Sequence, residues 1–289
     1  MDITFDDPQL VPGVSTQIYS RSDFEAIRKI AHDTAGILLS PCKATLVYSR
    51  LASLVRNSAT HTFSRYIDLV RENENELRKA INALTTNHTF FNREKHHFEH
   101  IAEHVRPAIL AKARAGEAIR IWSAGCASGE EVYSLAMTLL GSNRAEAQDI
   151  LSSNTIILAT DLADQAVATS KAARYPSKGL AEMPPKLVRI WSSEAGGETQ
   201  MSDDIRRLVR VRRLNLFDEW PMHCQFDVIF CRNVLIYFDD EGQDRLVARL
   251  SDRLVTGGYL YIGHSEQVRG LSERHLKSLG GTIYQKDAA

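Results

Sequence analysis

Between an apolar run that includes Ile121 and Trp122 and a helix-forming run from Glu130 lies a turn of small residues, Gly125-Cys126-Ala127-Ser128-Gly129. Small side chains let a ligand lie close to the backbone. The helix that follows directs free amide groups and its positive dipole end at the same place. Together these predict a site for a nucleotide-like ligand. The glycines read G-x-x-x-G, without the middle glycine that makes room for a pyrophosphate, and the chain has no G-x-x-x-x-G-K-[ST]. Later apolar runs end in Asp161, near Asn215 and at Asn233. An acidic residue at such a place accepts hydrogen bonds from ribose hydroxyls. Asparagine both donates and accepts, as adenine edges and amino-acid groups require. Adenosine without phosphates, carrying a charged amino-acid tail, fits that set, and S-adenosylmethionine is such a molecule. Two plainer readings stand beside it: a tight strand-to-helix connection at Gly125, and a helix N-cap at Asp161.

The elements that position these residues follow from periodicity. Residues 1–20 contain Pro8 and Pro12, show no periodicity and read as a loose arm. Ser22 and Glu25 read as a capping box opening a first helix. Apolar faces then recur at helical spacing, with Leu46, Val47, Leu51, Leu54 and Val55, next Phe63, Tyr66, Ile67 and Val70, and finally Leu77, Ile81 and Leu84. This predicts an all-helical unit over 21–85. From 86 to 289 short apolar runs (IRIWSAG, TIILATD, LVRVRRLNL, FDVIFCRN, YLYIGHS) alternate with amphipathic helices, so the fold class is α/β with a mainly parallel sheet. The last run, TIYQK, is expected to return as an antiparallel edge strand. Residues of about 176–214 break the rhythm with Pro176, Pro184, Pro185 and SSEAGGE, and read as a small inserted β-hairpin region ending in IRRLVRVRR.

Composition narrows the function classes. The 289 residues include 35 basic and 36 acidic side chains, a net charge of −1, which argues against a general nucleic-acid binder. No apolar run approaches the ~18 residues of a membrane span, and the acidic start MDITFDDPQL is unlike a signal peptide. Cys42, Cys126, Cys224 and Cys231 are scattered, which fits a reducing cytoplasm rather than a disulfide framework. His96, His100 and His104 share a helical face, but without HExxH an exposed charged face is the expectation and no metal site is assigned. Cys126, at a helix start, reads as a small residue that fits, with a lowered thiol pKa as the alternative.

Four motifs in order, TTNHTFFNREKHHF, IWSAGCASGEEVYS, FDVIFCRNVLIYF and GYLYIGHSE, resemble the CheR family of chemotaxis-receptor glutamate O-methyltransferases across nearly the whole chain. The resemblance implies a class I S-adenosylmethionine-dependent methyltransferase fold, Rossmann-like, with a small inserted β subdomain behind an all-α N-terminal domain. Beside Gly125 of the turn, it implies donor contacts from Asn87, Thr89, Arg93, Glu131, Asp161, Asn215, Leu216, Asn233 and Val234, with Tyr237 near the transferred methyl and S-adenosylhomocysteine as product. The implied partner is the cytoplasmic helical region of chemoreceptors. The chain departs from the family at Val132, where proline is common, and in the order Phe90-Phe91-Asn92-Arg93. Its hairpin region is also slightly shorter than in members that dock on a receptor C-terminal tail peptide, which counts against tail binding here.

A glutamate side chain has an ordinary pKa of ~4.3 and is already an anion at neutral pH, so methyl esterification needs no general base. Placement and partial desolvation carry such a reaction. Arg93 would hold the acceptor carboxylate or the donor, and Tyr237 would orient the acceptor or line the methyl channel. Arg206, Arg207, Arg210, Arg212 and Arg213 of the insertion read as a solvated edge or an acidic-partner surface. Lys43, Arg50 and Arg56 on the second helix read as a sparse basic face for an acidic receptor helix. Two other functions stay open: methyl transfer to a different acceptor, and a cofactor-binding regulatory protein without turnover.

Overall fold

The computed structural model describes residues 10–269 and 275–287. Residues 1–9 of the expected arm lie outside the described residues. The chain divides into two compact units, residues 1–86 with 237–239, and residues 87–236 with 240–289.

The first unit is helical. It contains α1 (Arg21–Ala35), α2 (Ala44–Asn57), α3 (Phe63–Glu72) and α4 (Glu74–Leu84). The capping box sits two residues earlier than the sequence reading placed it. Ser20 accepts from the Asp23 amide, and Asp23 returns a bond to the Ser20 amide. Aspartate serves there as well as glutamate because its shorter side chain still reaches the N-cap amide. Gly36 ends α1 at φ 67°, a conformation glycine adopts without strain. Phe24, Ile27, Val47, Leu51, Tyr66, Ile67, Ile81 and Leu84 close the core. Arg50 is not part of a free basic face. It donates to the Leu84 and Thr85 carbonyls at 2.7 and 2.8 Å, satisfying the orphan carbonyls at the end of α4.

The second unit opens with α5 (Lys95–His100), a wider π-type turn over Ile101–Val105, and α6 (Arg106–Arg114). Pro107 has no amide to offer the carbonyl one turn back, and the helix loosens just before it. The sheet strands are β1 (Ile119–Ala124), β2 (Thr155–Asp161), then β3 (Arg174–Pro176), β4 (Ser192–Ala195), β5 (Glu198–Met201), β6 (Val209–Arg213), β7 (Phe226–Cys231), β8 (Leu254–Ile262), β9 (Leu276–Gly280) and β10 (Ile283–Lys286). Between them run α7 (Glu130–Leu140), α8 (Arg144–Leu151), α9 (Asp164–Ala172), α10 (Pro185–Trp191), α11 (Asp203–Leu208) and α12 (Asp240–Asp252). The main sheet has seven strands in the order β6-β2-β1-β7-β8-β10-β9. The first five are parallel, while β10 is antiparallel to both β8 and β9.

Two strand expectations change. The TIYQK run is antiparallel but lies inside the sheet, because β9 pairs on its outer side and becomes the edge. The inserted hairpin is β4–β5, turning at Gly196 and Gly197, both at positive φ, and β3 completes a three-stranded sheet. Val209–Arg213 instead joins the main sheet beside β2, burying Val209 and Val211. Arg206 and Arg207 lie on α11, paired with Asp203 and Asp204. Arg210 and Arg212 lie on this edge strand and donate to the backbone carbonyls of Arg207 and Val211.

No helix among the described residues is long and apolar enough to cross a membrane.

Candidate functional site

Parallel strands β6, β2, β1 and β7 lie side by side, so their carboxyl ends fall on one edge of the sheet. From β1 the chain moves outward to β2 and β6, then crosses back to β7 on the other side. Strand order reverses there, which is where open α/β sheets bind ligands. Asn215, Asp161, Gly125 and Asn233 follow or end these four strands in spatial order.

Backbone geometry fixes the turn after β1. The Gly125 and Cys126 amides both donate to the Thr160 carbonyl, at 2.8 and 2.9 Å. Gly125 has φ 79°, and a Cβ there would meet Val234 Cγ2 closer than the 3.0 Å that real Cβ atoms respect. Gly125 and Val234, distant in sequence, are therefore in direct contact. Cys126 is buried, and burial pushes its thiol well above the ordinary range. This excludes the lowered-pKa alternative: the residue packs.

Asp161 is buried at the end of β2. One carboxylate oxygen accepts from the Ala127 amide at 2.8 Å and the other from Ala163 at 2.9 Å. It therefore braces the glycine turn. The N-cap position of α9 is Ala163, not Asp161. Burial raises the Asp161 pKa and the backbone amides oppose that rise. A carboxylate offers about four lone-pair sites, so two remain for ligand hydroxyls. Asp161→Asn keeps one acceptor and sets an NH2 against an amide. We expect a loss of about 1–3 kcal/mol in stability, measured by urea unfolding, together with weaker S-adenosylmethionine binding by calorimetry.

Asn215 follows β6 and accepts from the Phe217 amide at 3.1 Å. Leu216 is buried, and its carbonyl accepts from Trp220 Nε1 at 3.2 Å and Arg249 at 2.8 Å. Arg249 also lies over the Trp220 ring, 4.0 Å from its centroid. Asn233 follows β7 at φ 58°.

The remaining charges form a buried network that sequence reasoning missed. Arg232, with its side chain 1% exposed, pairs with Glu94 and Glu131, each at 3.4 Å. It also lies over the rings of Phe98 and Phe230, and donates to the Arg93 carbonyl. Glu131 further accepts from Ser123 at 2.7 Å. Burial raises the Glu131 pKa and Arg232 opposes it. For Glu94 burial is outweighed by Arg232 and His264, leaving its carboxyl below the ordinary value. Glu94 also receives the Asn233 side-chain amide at 3.4 Å and His264 Nδ1 at 3.1 Å. One signal was legible: an arginine closing a buried apolar strand must be paired.

Arg93 is thus anchored at this edge through its backbone. Its guanidinium donates to the His88 carbonyl at 3.1 Å and lies over Phe90. Asn87 is exposed and Thr89 half-buried on the irregular stretch leading to it. Tyr237 belongs to the helical unit, where its hydroxyl donates to the Thr86 carbonyl at 3.2 Å and its own carbonyl accepts from Leu38 at 2.7 Å.

His96, His97 and His100 make structural contacts, while His104 is exposed. His96 and His97 both donate from Nε2 to the Gly281 carbonyl at 2.9 Å, and His100 Nδ1 meets the Tyr261 hydroxyl at 2.7 Å. Burial, then Arg232, pushes the His97 pKa down to about 3, keeping the ring neutral.

The residue set matches the chemistry of adenosine with an amino-acid tail: acceptors for hydroxyls, an asparagine at two strand ends, and charges of both signs. Comparison with known proteins gives the same donor. The sequence model described as CheR methyltransferase, SAM binding domain, matches residues 87–284, and that of the CheR methyltransferase all-alpha domain matches 22–85. A probable chemotaxis protein methyltransferase of Rhizobium etli is 40% identical over 88% of this chain and 96% of its own length. Chemotaxis protein methyltransferase 2 of Pseudomonas aeruginosa is 35% identical over 92% and 93%. A chemotaxis protein methyltransferase of Borreliella burgdorferi is 32% identical over 93% of this chain and 95% of its own length. The chain belongs to the CheR methyltransferase family, and its methyl donor is S-adenosylmethionine.

Proposed function

We propose that this protein esterifies glutamate side-chain carboxylates in the cytoplasmic helical region of chemoreceptors. One structural observation supports the carboxylate acceptor. Four buried titratable groups around the strand ends have internal partners: Asp161 has backbone amides, Glu131 and Glu94 have Arg232, and His97 Nε2 has the Gly281 carbonyl. A site furnished this way suits an acceptor that arrives deprotonated, and a glutamate with pKa ~4.3 does.

When bound, S-adenosylmethionine supplies an electrophilic sulfonium methyl. The residues proposed to hold it are Asn87, Thr89, Arg93, Gly125, Glu131, Asp161, Asn215, Leu216, Asn233 and Val234. Asp161 would accept from ribose hydroxyls. Asn215 and Asn233 would meet adenine or amino-acid polar groups, and Leu216 and Val234 would exclude water. Arg93 would orient a carboxylate by charge-assisted hydrogen bonds. Tyr237 would orient the acceptor.

The test is transfer of tritiated methyl groups to receptor-rich membranes. Label released as methanol by mild base is the expected result. Alkali-stable label would identify a nitrogen or carbon acceptor instead, and no label despite donor binding would identify a protein without turnover on receptors.

A further inference from the structure

We propose that Glu266 is a positioning residue of the donor site: its carboxylate fixes the backbone of the loop after β7 and thereby sets where Asn233 and Val234 meet S-adenosylmethionine. The proposal rests on the reading of Asn233 and Val234 as donor contacts.

The chain must turn sharply where β7 ends. Asn233 adopts φ 58°, a conformation that asparagine tolerates but that persists only where the surroundings impose it. Glu266 imposes it. One of its oxygens accepts from the Asn233 amide at 2.9 Å and from the Gly263 amide at 2.5 Å, and the other accepts from the Ile236 amide at 3.4 Å. Backbone amides converging on one point form an anion nest, and here the anion is a side chain of the protein itself.

The residue is 4% exposed. A carboxylate taken that far from water is costly unless hydrogen bonds replace its hydration. A mere filler of that volume would be apolar. The convergent amides are what make a charge stable there, and in return the charge holds them in place.

Gly263 completes the clamp. A Cβ at 263 would stand 2.7 Å from the Asn233 nitrogen and 2.9 Å from Glu266 Oε2, closer than packing permits. The turn after β8 and the turn after β7 are thus pressed together at Asn233, with the carboxylate between their amides.

The test compares Glu266→Gln with Gly263→Ala. Glutamine keeps the shape but has one acceptor oxygen, so its NH2 must face a backbone amide. Alanine at 263 pushes Asn233 from the opposite side. Both variants should bind S-adenosylmethionine about tenfold more weakly by titration calorimetry, as expected for losing one charge-assisted bond. The Glu266→Gln enzyme should show this loss in KM, with kcat at saturating donor little changed. In amide NMR spectra, Asn233 and Gly263 should resonate downfield in the wild type, and the two signals should move upfield in Glu266→Gln.

Lys112→Met is the control for lost stability alone. It removes the 2.5 Å ion pair of Lys112 with Asp227 near the amino end of β7 and should lower Tm without weakening donor binding. Unchanged donor affinity in Glu266→Gln at a lowered Tm overturns the proposal. If Glu266→Gln does not fold, unchanged affinity in Gly263→Ala, or wild-type amide signals at ordinary positions, overturns it equally. A wild-type chain that fails to bind S-adenosylmethionine overturns the donor-site reading itself, and the proposal with it.

Discussion

Gly125→Ala should cost about 100-fold in S-adenosylmethionine affinity, roughly 2.7 kcal/mol, and destabilise the fold by about 1–3 kcal/mol. Two independent penalties act at this position. The backbone lies at φ 79°, which L side chains resist, and the added Cβ would collide with Val234 Cγ2. The turn cannot yield cheaply, because the Gly125 and Cys126 amides are both tied to Thr160 and the Ala127 amide to Asp161. Val234 would therefore move, taking its loop with it. Adding Val234→Ala removes the collision but not the backbone strain. The double variant should recover part of the stability lost to Gly125→Ala. Equal stability of the single and double variants by urea unfolding would show that the contact with Val234 is not where the energy goes.

Arg232→Met should be the most destabilising substitution in the methyltransferase unit, by about 3–5 kcal/mol near neutral pH. Methionine keeps much of the packing against Phe98 and Phe230 but leaves Glu94 and Glu131 buried without their shared cation. The loss should depend on pH, and its sign follows from linkage. In the wild type Glu94 lies below its ordinary value, so its ionisation stabilises the fold above the unfolded carboxylate pKa, and that contribution fades on acidification. Without Arg232, burial dominates at both glutamates: the Glu94 pKa rises above the unfolded value, and the Glu131 pKa, already raised, rises further. Their ionisation then opposes folding at neutral pH, and the penalty is relieved as the pH falls through the raised values. The Tm gap between variant and wild type should therefore narrow from pH 7.5 to pH 5. A gap that stays constant would mean that the two carboxylates do not depend on Arg232. Arg232→Lys should not restore the wild type, because an ammonium lacks the planar fork that reaches both partners.

The sequence alone reached the parts of this protein that depend on local order. Short apolar runs bounded by small or polar residues placed β1, β2 and β7, and helical spacing placed α1 to α4. The glycine turn, Asp161, Asn215 and Asn233 were legible because each follows or ends an apolar strand, and parallel strands bring such ends to one edge. The missing middle glycine separated adenosine from dinucleotide, and four motifs in order named the family.

What stayed hidden depends on partners far apart in the chain. Glu94 and Arg232 are 138 residues apart, and Asn233 and Glu266 are 33 apart. No periodicity links such pairs. Val209 and Val211 read equally well as half of a hairpin or as a sheet strand, since alternation fixes the face of a strand and not its neighbour. Arg50 looked like a free cation until the end of α4 arrived beside it with unpaired carbonyls. The sequence determined the elements, the donor and the family, because those reside in local pattern and motif. The tertiary structure decided which charges are buried together and which amides a carboxylate holds, because a charge survives burial only where the fold brings it a partner.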